Sequence, residues 1–174
     1  MRPGTLQINV STVNVMLSIR GATVDDVKLL RKLIRELAEY ENELDQMSIT
    51  EADLARDGFG AQPRFRVLLA YWDQEPAGYA LFFDFYSTWR GRQMFLEDLF
   101  VREAFRGRKV GKSLLAAVAR IAEREGSHAL RWEVLDWNQI AVNFYESLGA
   151  EFLNDWRLVL LKDEALRRLA EIAP

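Results

Sequence analysis

Two carboxylates, Glu97 and Asp98, stand side by side inside the apolar run FLEDLFV. A carboxylate held among apolar neighbours can bind a cation or take a proton near neutral pH. Shortly after them comes a cationic turn, RGRKVGK, covering Arg106, Gly107, Arg108, Lys109, Val110, Gly111 and Lys112. Glycines let backbone approach a ligand closely, and a helix start offers unbonded N–H groups to an anion. The turn could therefore cradle a diphosphate, although a short glycine pattern is also compatible with an ordinary solvated loop. Its spacing is neither that of a Walker loop nor that of a dinucleotide-binding GxGxxG. A third candidate is Tyr145 in NFYESLG. A phenol stays protonated at neutral pH and can donate to a leaving anion; it can equally pack as a core aromatic beside Phe144.

Several chemistries are excluded by composition. The chain has 174 residues, no cysteine and one histidine, His128. Disulfides, thiolate metal sites and a cysteine nucleophile are ruled out, and one chain cannot supply a two-histidine zinc site. No metal site is expected. The absence of cysteine fits a cytoplasmic protein. A net charge of -3 argues against general nucleic-acid binding, and no apolar run reaches membrane-spanning length. The first residues, MRPGTLQINVSTVNV, lack the apolar core of a signal peptide. Residues 1–13 read as an extension, and 14–174 as one domain.

These groups must be positioned by regular elements. VMLSIRGAT reads as a first strand. Thr23 and Asp26 then form a capping-box-like start, and Val27, Leu30, Leu33, Ile34 and Leu37 recur at helical spacing. A shorter helix is expected over SITEADLARDGFG, capped by Ser48 or Thr50 and ended by Gly58 and Gly60. RFRVLLAYW, AGYALFFDFYS and RQMFLEDLFV read as three antiparallel strands. A helix follows from Val110 to about Glu125, with Val110, Leu114, Leu115, Val118 and Ile121 inward. HALRWEVLDW is expected as a strand, NQIAVNFYESLG as a helix, EFLNDWRLVLL as another strand and DEALRRLAEIA as a terminal helix. The order β-α-α-β-β-β-α-β-α-β-α predicts an α/β chain of the α+β type. Its sheet should be mixed and mostly antiparallel, with helices on the faces. Adjacent strand residues point to opposite faces, so only one of Glu97 and Asp98 is expected to face a substrate.

RGRKVGKSLL resembles the acyl-CoA-binding motif of the GNAT superfamily of N-acyltransferases, (Q/R)-x-x-G-x-(G/A). Arg106 takes the first position and Gly111 the last, while Lys109 stands where the family usually has its middle glycine. ELAEYE, ITEADLARDGFG, FLEDLFV and WN...NFYESLGA occur in the order and spacing of the spermidine/spermine (diamine) N-acetyltransferase family. The resemblance runs over residues 16–170 and implies the GNAT fold, with acetyl-CoA held where two central strands splay.

Residue roles follow from the resemblance. It implies that Leu99, Phe100 and Val101 bind the pantetheine arm through their backbone, with an amide, at Leu99, toward the thioester oxygen. Arg106, Gly107, Arg108, Lys109, Val110, Gly111 and Lys112 carry over as the phosphate cradle. Tyr145 matches the general acid and Glu97 the group that orients the amine and helps remove its proton. Asn138 and Asn143 could position the cofactor, although Asn138 could equally cap a helix. Tyr40, Glu41, Glu97, Asp98, Trp132, Glu133 and Asp155 are expected around the substrate, with Asp136 adding charge and Trp132 and Trp137 flanking an alkyl-ammonium chain. The expected substrate is a small primary-amine cation of the diamine or polyamine kind, attacked directly in a ternary complex, and the expected assembly is a homodimer. LNDW replaces the acidic SSEEGW-type loop of the polyamine enzymes, which makes thialysine a rival. The same residues are compatible with acetylation of an aminoglycoside or of a protein amine, and with a non-catalytic acyl-CoA sensor.

Overall fold

The computed structural model describes residues 17–173. The extension expected over 1–13 lies outside the described residues. The chain divides into two compact units, one up to Glu133 and one from Val134.

The first unit begins with β1 (Leu17–Gly21), followed by helix α1 (Val27–Glu41) and helix α2 (Glu51–Phe59). A 3-10 turn over Val24–Asp26 precedes α1 and carries the expected Thr23–Asp26 capping box. Asp26 also binds Arg20 through two 2.7 Å hydrogen bonds, and this guanidinium pulls its carboxyl down to about 2. At α2, Thr50 is the cap and pairs reciprocally with Asp53. Gly60 closes that helix, whereas Gly58 lies inside it, where a Cβ would strike the Phe65 ring.

Three long strands follow: β2 (Arg66–Trp72), β3 (Glu75–Ser87) and β4 (Gly91–Val101). They form an antiparallel meander with β1, in the order β1-β2-β3-β4-β5. Helix α3 (Val110–Arg124) leads from β4 to β5 (Leu130–Arg131), which pairs parallel to β4. The expected mixed, mostly antiparallel sheet is therefore present.

Apolar burial falls where the periodicity placed it. Val27, Leu30 and Leu33 of α1 pack with Leu54, Val67, Leu69, Tyr79, Leu81 and Phe100. Val110, Leu114, Leu115, Val118 and Ala122 are the buried face of α3, while Ile121, expected inward, is only half-buried because it sits at the edge of that face. At Gly78 a Cβ would collide with the Phe100 carbonyl oxygen, so this position needs glycine for close backbone approach. Arg102 locks α1 to the end of β4. Its guanidinium makes two 2.7 Å bonds to Glu36 and a third to the Pro76 carbonyl.

Two features differ from the alternation expected in strands. In the β3–β4 register Leu81 faces Asp98 but Phe82 faces Leu96, so Glu97 is the extra residue of a β-bulge. A bulge bends its strand and re-aims side chains. It also ends the sheet locally on the other side. β5 pairs only through Leu130 and Arg131, opposite Met94 and Phe95, just before the bulge. The strand expected over 128–137 is thus only two residues long, and the bend in β4 is the physical reason. Among the described residues, no strand pairs with the β5-facing edge of β4 beyond Phe95. Past Phe95 that edge of β4 is open.

The second unit holds α4 (Gln139–Glu146) and α5 (Asp163–Ala170). The strand expected over 151–161 is absent. The segment is irregular and exposed, with Leu158 at 79 % and Val159 at 86 % accessibility. A strand needs a neighbouring ladder to complete its backbone hydrogen bonds, and no described strand supplies one.

Candidate active site

The cationic turn takes the shape a diphosphate cradle requires. Gly107 has φ +74°, a left-handed conformation that glycine adopts without a steric cost. Lys109 adopts the same region, with φ 64° and ψ 9°. The position where the motif usually has glycine therefore keeps a glycine-like backbone with a lysine on it. The first bond of α3 runs from the Ser113 N–H to the Lys109 carbonyl at 2.9 Å. The N–H groups of Val110, Gly111 and Lys112 precede it and have no partner within the helix. Space remains in front of the turn: a Cβ at Gly107 would meet nothing within 4 Å, and one at Gly111 would touch only Val101. These residues fit a diphosphate held by main-chain amides at a helix start.

The two arginines are engaged elsewhere. Arg106 donates from Nε to the Val101 carbonyl at 3.1 Å, and its guanidinium lies 4.4 Å from the centre of the Tyr40 ring. Arg108 stacks over Trp72 and Phe105. They brace the loop against the fold, while Lys109 and Lys112 flank the cradle. Replacing Lys109 with Gly should raise stability by about 0.5–1 kcal/mol. The left-handed conformation costs a side-chain-bearing residue about 1–2 kcal/mol, and glycine gives back about 0.5–1 kcal/mol in chain entropy. Thermal denaturation of the two proteins checks this, with a small upward shift in Tm expected.

The carboxylates meet in a separate hollow of about 380 Å³. Its walls come from the end of α1 (Ile34, Leu37, Ala38, Glu41), the segment after it (Glu43, Gln46, Met47, Ser48, Ile49) and β4 (Glu97, Asp98). Asn42, at φ 60°, turns the chain out of α1 so that this segment can fold back. Both Glu97 and Asp98 line the hollow, Glu97 exposed and Asp98 half-buried. The bulge at Glu97 breaks the alternation that separates neighbouring side chains. No lysine or arginine is among the lining residues.

Burial and neighbouring acids raise the protonation of Glu41, Glu97 and Asp98. Burial pushes the Asp98 carboxyl up to about 6; the Tyr79 hydroxyl, donating at 2.8 Å, opposes this, and Glu97 and Glu41 add to it. Burial also raises Glu97, with Glu133 next, and raises Glu41, with Glu43 next. A cation in the hollow would relieve these repulsions together.

Tyr40 lines the neighbouring hollow instead, with Glu36, Glu39, Phe100, Arg102, Glu103 and Arg106. Trp132 is half-buried, and Glu133 is exposed but close enough to raise Glu97. In the second unit, Tyr145 is buried beside Phe144, with ring centres 5.3 Å apart. Asn138 caps α4, its side chain accepting from the Ala141 N–H, and Asn143 accepts from Gln139. Both asparagine side chains thus bond within α4. Asp155 lies in an exposed turn, and Asp136 and Trp137 are exposed. Sequence reasoning missed Tyr79. Its signal was a phenol inside the continuous apolar run AGYALFF, where a buried hydroxyl needs a partner.

Residues 28–150 match the family model described as Acetyltransferase (GNAT) family. The chain belongs to the GNAT acetyltransferase family. Thialysine N-epsilon-acetyltransferase of Bos taurus is 40% identical over 163 residues, covering 87% of this chain and 96% of the relative. Spermidine/spermine N(1)-acetyltransferase-like protein 1 of Homo sapiens is 36% identical, covering 87% of this chain and 23% of the longer relative. Among solved structures, an aminoglycoside N-acetyltransferase in complex with CoA superposes with a TM-score of 0.70 at 21% identity, over 89% of this chain and 98% of that one. The last likeness establishes the fold. This acetyltransferase is therefore an acetyl-CoA-dependent enzyme acting on an amine, and the expected GNAT fold is the one observed.

Proposed function

We propose that this acetyltransferase acetylates a terminal amine of a small, flexible cation of the diamine or polyamine kind. The observation that carries the reading is the acidic hollow, in which Glu41, Glu43, Glu97 and Asp98 face one space with no lining cation. Thialysine is the second reading, favoured by the 40% identity to the bovine thialysine enzyme. The test is thiol release from acetyl-CoA with putrescine, spermidine, thialysine, lysine and an aminoglycoside. The highest kcat/KM on putrescine or spermidine supports the first reading, and the highest on thialysine replaces it with the second. An aminoglycoside preference would overturn both. CoA binding without turnover on any amine would make the chain a sensor.

The chemistry asked of the chain is modest. An alkyl ammonium has a pKa near 10.4, so only about one molecule in 2,500 is a nucleophile at neutral pH. The acid cluster gathers the ammonium, and Glu97 takes its proton, directly or through water. Bound acetyl-CoA supplies the thioester. The N–H groups of Val110, Gly111 and Lys112 hold its diphosphate, and the open edge of β4 at Leu99, Phe100 and Val101 receives the pantetheine arm, with the Leu99 amide toward the carbonyl oxygen. As the C–N bond forms and the C–S bond breaks, Tyr145 gives its proton to the thiolate, and the second proton shed by the new amide nitrogen returns to the phenolate through water. No cysteine exists to carry the acetyl group, which supports direct attack over a thioester relay.

The family match spans both units, which supports reading 14–174 as one catalytic domain. A homodimer is supported by the exposed apolar residues of the last segment, Leu158, Val159, Leu160, Leu166 and Leu169 among them. A second copy of the chain would cover such a stripe. The lack of cysteine supports a cytoplasmic location, and no helix among the described residues is long and apolar enough to cross a membrane.

A further inference from the structure

Tyr79 is the most completely buried large polar side chain of the first unit, with no accessible surface. It sits on β3 opposite Phe100 of β4, their ring centres 6.2 Å apart, within the cluster formed by Val27, Leu30, Leu33 and Leu81. A phenylalanine would fill that place equally well. The hydroxyl is therefore not a packing requirement, and a buried O–H placed without need of packing has to be explained by what it bonds. It bonds Asp98 Oδ2 at 2.8 Å.

Asp98 in turn lines the acidic hollow. With Oδ2 tied to the phenol, Oδ1 is the oxygen left for a cation in the hollow. We propose that Tyr79 is a positioning residue for the amine substrate, holding Asp98 through Oδ2 so that a fixed, charged carboxylate meets the ammonium. The inference rests on the acidic hollow being the amine site and names the group that keeps it set for a cation.

The physical need is plain. Asp98 faces Glu41 from α1 and Glu97 from its own strand, with Glu43 on the adjoining segment and Glu133 beside Glu97. Every charged neighbour is negative, and burial also favours the protonated acid. The phenol opposes this because a hydrogen bond donated to a carboxylate favours its charged form. Without that donor Asp98 would protonate at a higher pH, and its carboxylate would be free to rotate.

The experiment compares wild type, Tyr79→Phe and Asp98→Asn, with putrescine and thialysine as acceptors, from pH 5 to 9. For Tyr79→Phe we expect the acid limb of kcat/KM for the amine to move up by about half to one pH unit. The amine KM at pH 7 should rise about three- to tenfold, while the KM for acetyl-CoA stays within about twofold. Asp98→Asn should raise the amine KM further and remove the Asp98 component of the acid limb. If Asp98→Asn weakens the amine but Tyr79→Phe superimposes on wild type, the positioning role is overturned and the amine site stands. If Asp98→Asn leaves the amine KM unchanged, the amine site itself is wrong. Proton NMR of the wild-type protein gives a test independent of how the Phe variant folds. A slowly exchanging Tyr79 hydroxyl proton that shifts when putrescine is added supports the role, and a rapidly exchanging one that ignores putrescine overturns it.

Discussion

Tyr145→Phe should lower kcat by about a hundredfold or more while leaving the affinity for CoA within about twofold. General acid catalysis contributes about 10²–10⁴ in rate, and the substitution deletes one oxygen from a ring that is already buried beside Phe144. Packing is preserved, so a loss of turnover would report the proton and not the fold. The proposed role also fixes the direction of two further readouts. If the phenol is the acid, any alkaline limb of the kcat profile that reports it should disappear in the variant. An acyl donor whose leaving thiol is more acidic needs less help in departing, so it should recover part of the lost rate. Stopped-flow thiol release and isothermal titration with CoA measure the two halves, and undiminished turnover would remove Tyr145 from the mechanism.

Asp98→Asn should make the protein more stable at neutral pH and a poor enzyme. The carboxyl's ordinary value of 3.8 is raised to about 6 in the fold. Between those values the native state holds a proton that the unfolded chain has released, so wild-type stability falls as pH rises through that window. The difference amounts to about 3 kcal/mol, fully felt above pH 6 and absent below pH 4. Asparagine is never charged and its side-chain oxygen can still accept from the Tyr79 hydroxyl. Urea denaturation at pH 7.5 should therefore show a gain of about 1–3 kcal/mol, and the two proteins should converge in stability near pH 4. Amine kcat/KM should fall by about a hundredfold, since a hydrogen-bonded charge contact is worth about 1.5–3 kcal/mol. Equal stability of the two proteins at pH 7.5 would mean that Asp98 is not held against its own ionisation. Stability surrendered for a ready carboxylate is the trade expected at a working site.

The elements that depend on local patterning were legible in the residues alone. The spacing of Val27, Leu30, Leu33 and Leu37 specified α1, the Thr50–Asp53 pair specified the start of α2, and three β-rich runs separated by turns specified the meander. The glycine turn before Val110 was equally readable, because a helix start and a left-handed turn are properties of a few consecutive residues. Motif order then led to the GNAT family, and the family match bears that out.

What depends on partners distant in the chain was not legible. Nothing near Glu97 announces that β3 and β4 slip there by one residue, beside two acids that line one hollow. Glu41 and Asp98 are far apart in sequence, and Tyr79 meets Asp98 only across the β3–β4 pairing. The run EFLNDWRLVLL has the composition of a strand, yet composition supplies no ladder to pair with, and none forms within the described chain. Residue type and spacing settled which helices and strands could form and which chemical groups they carry, since those follow from local sterics and periodicity. Register, charge convergence and pairing were decided only by the assembled sheet, because each is a relation between segments that meet only in three dimensions.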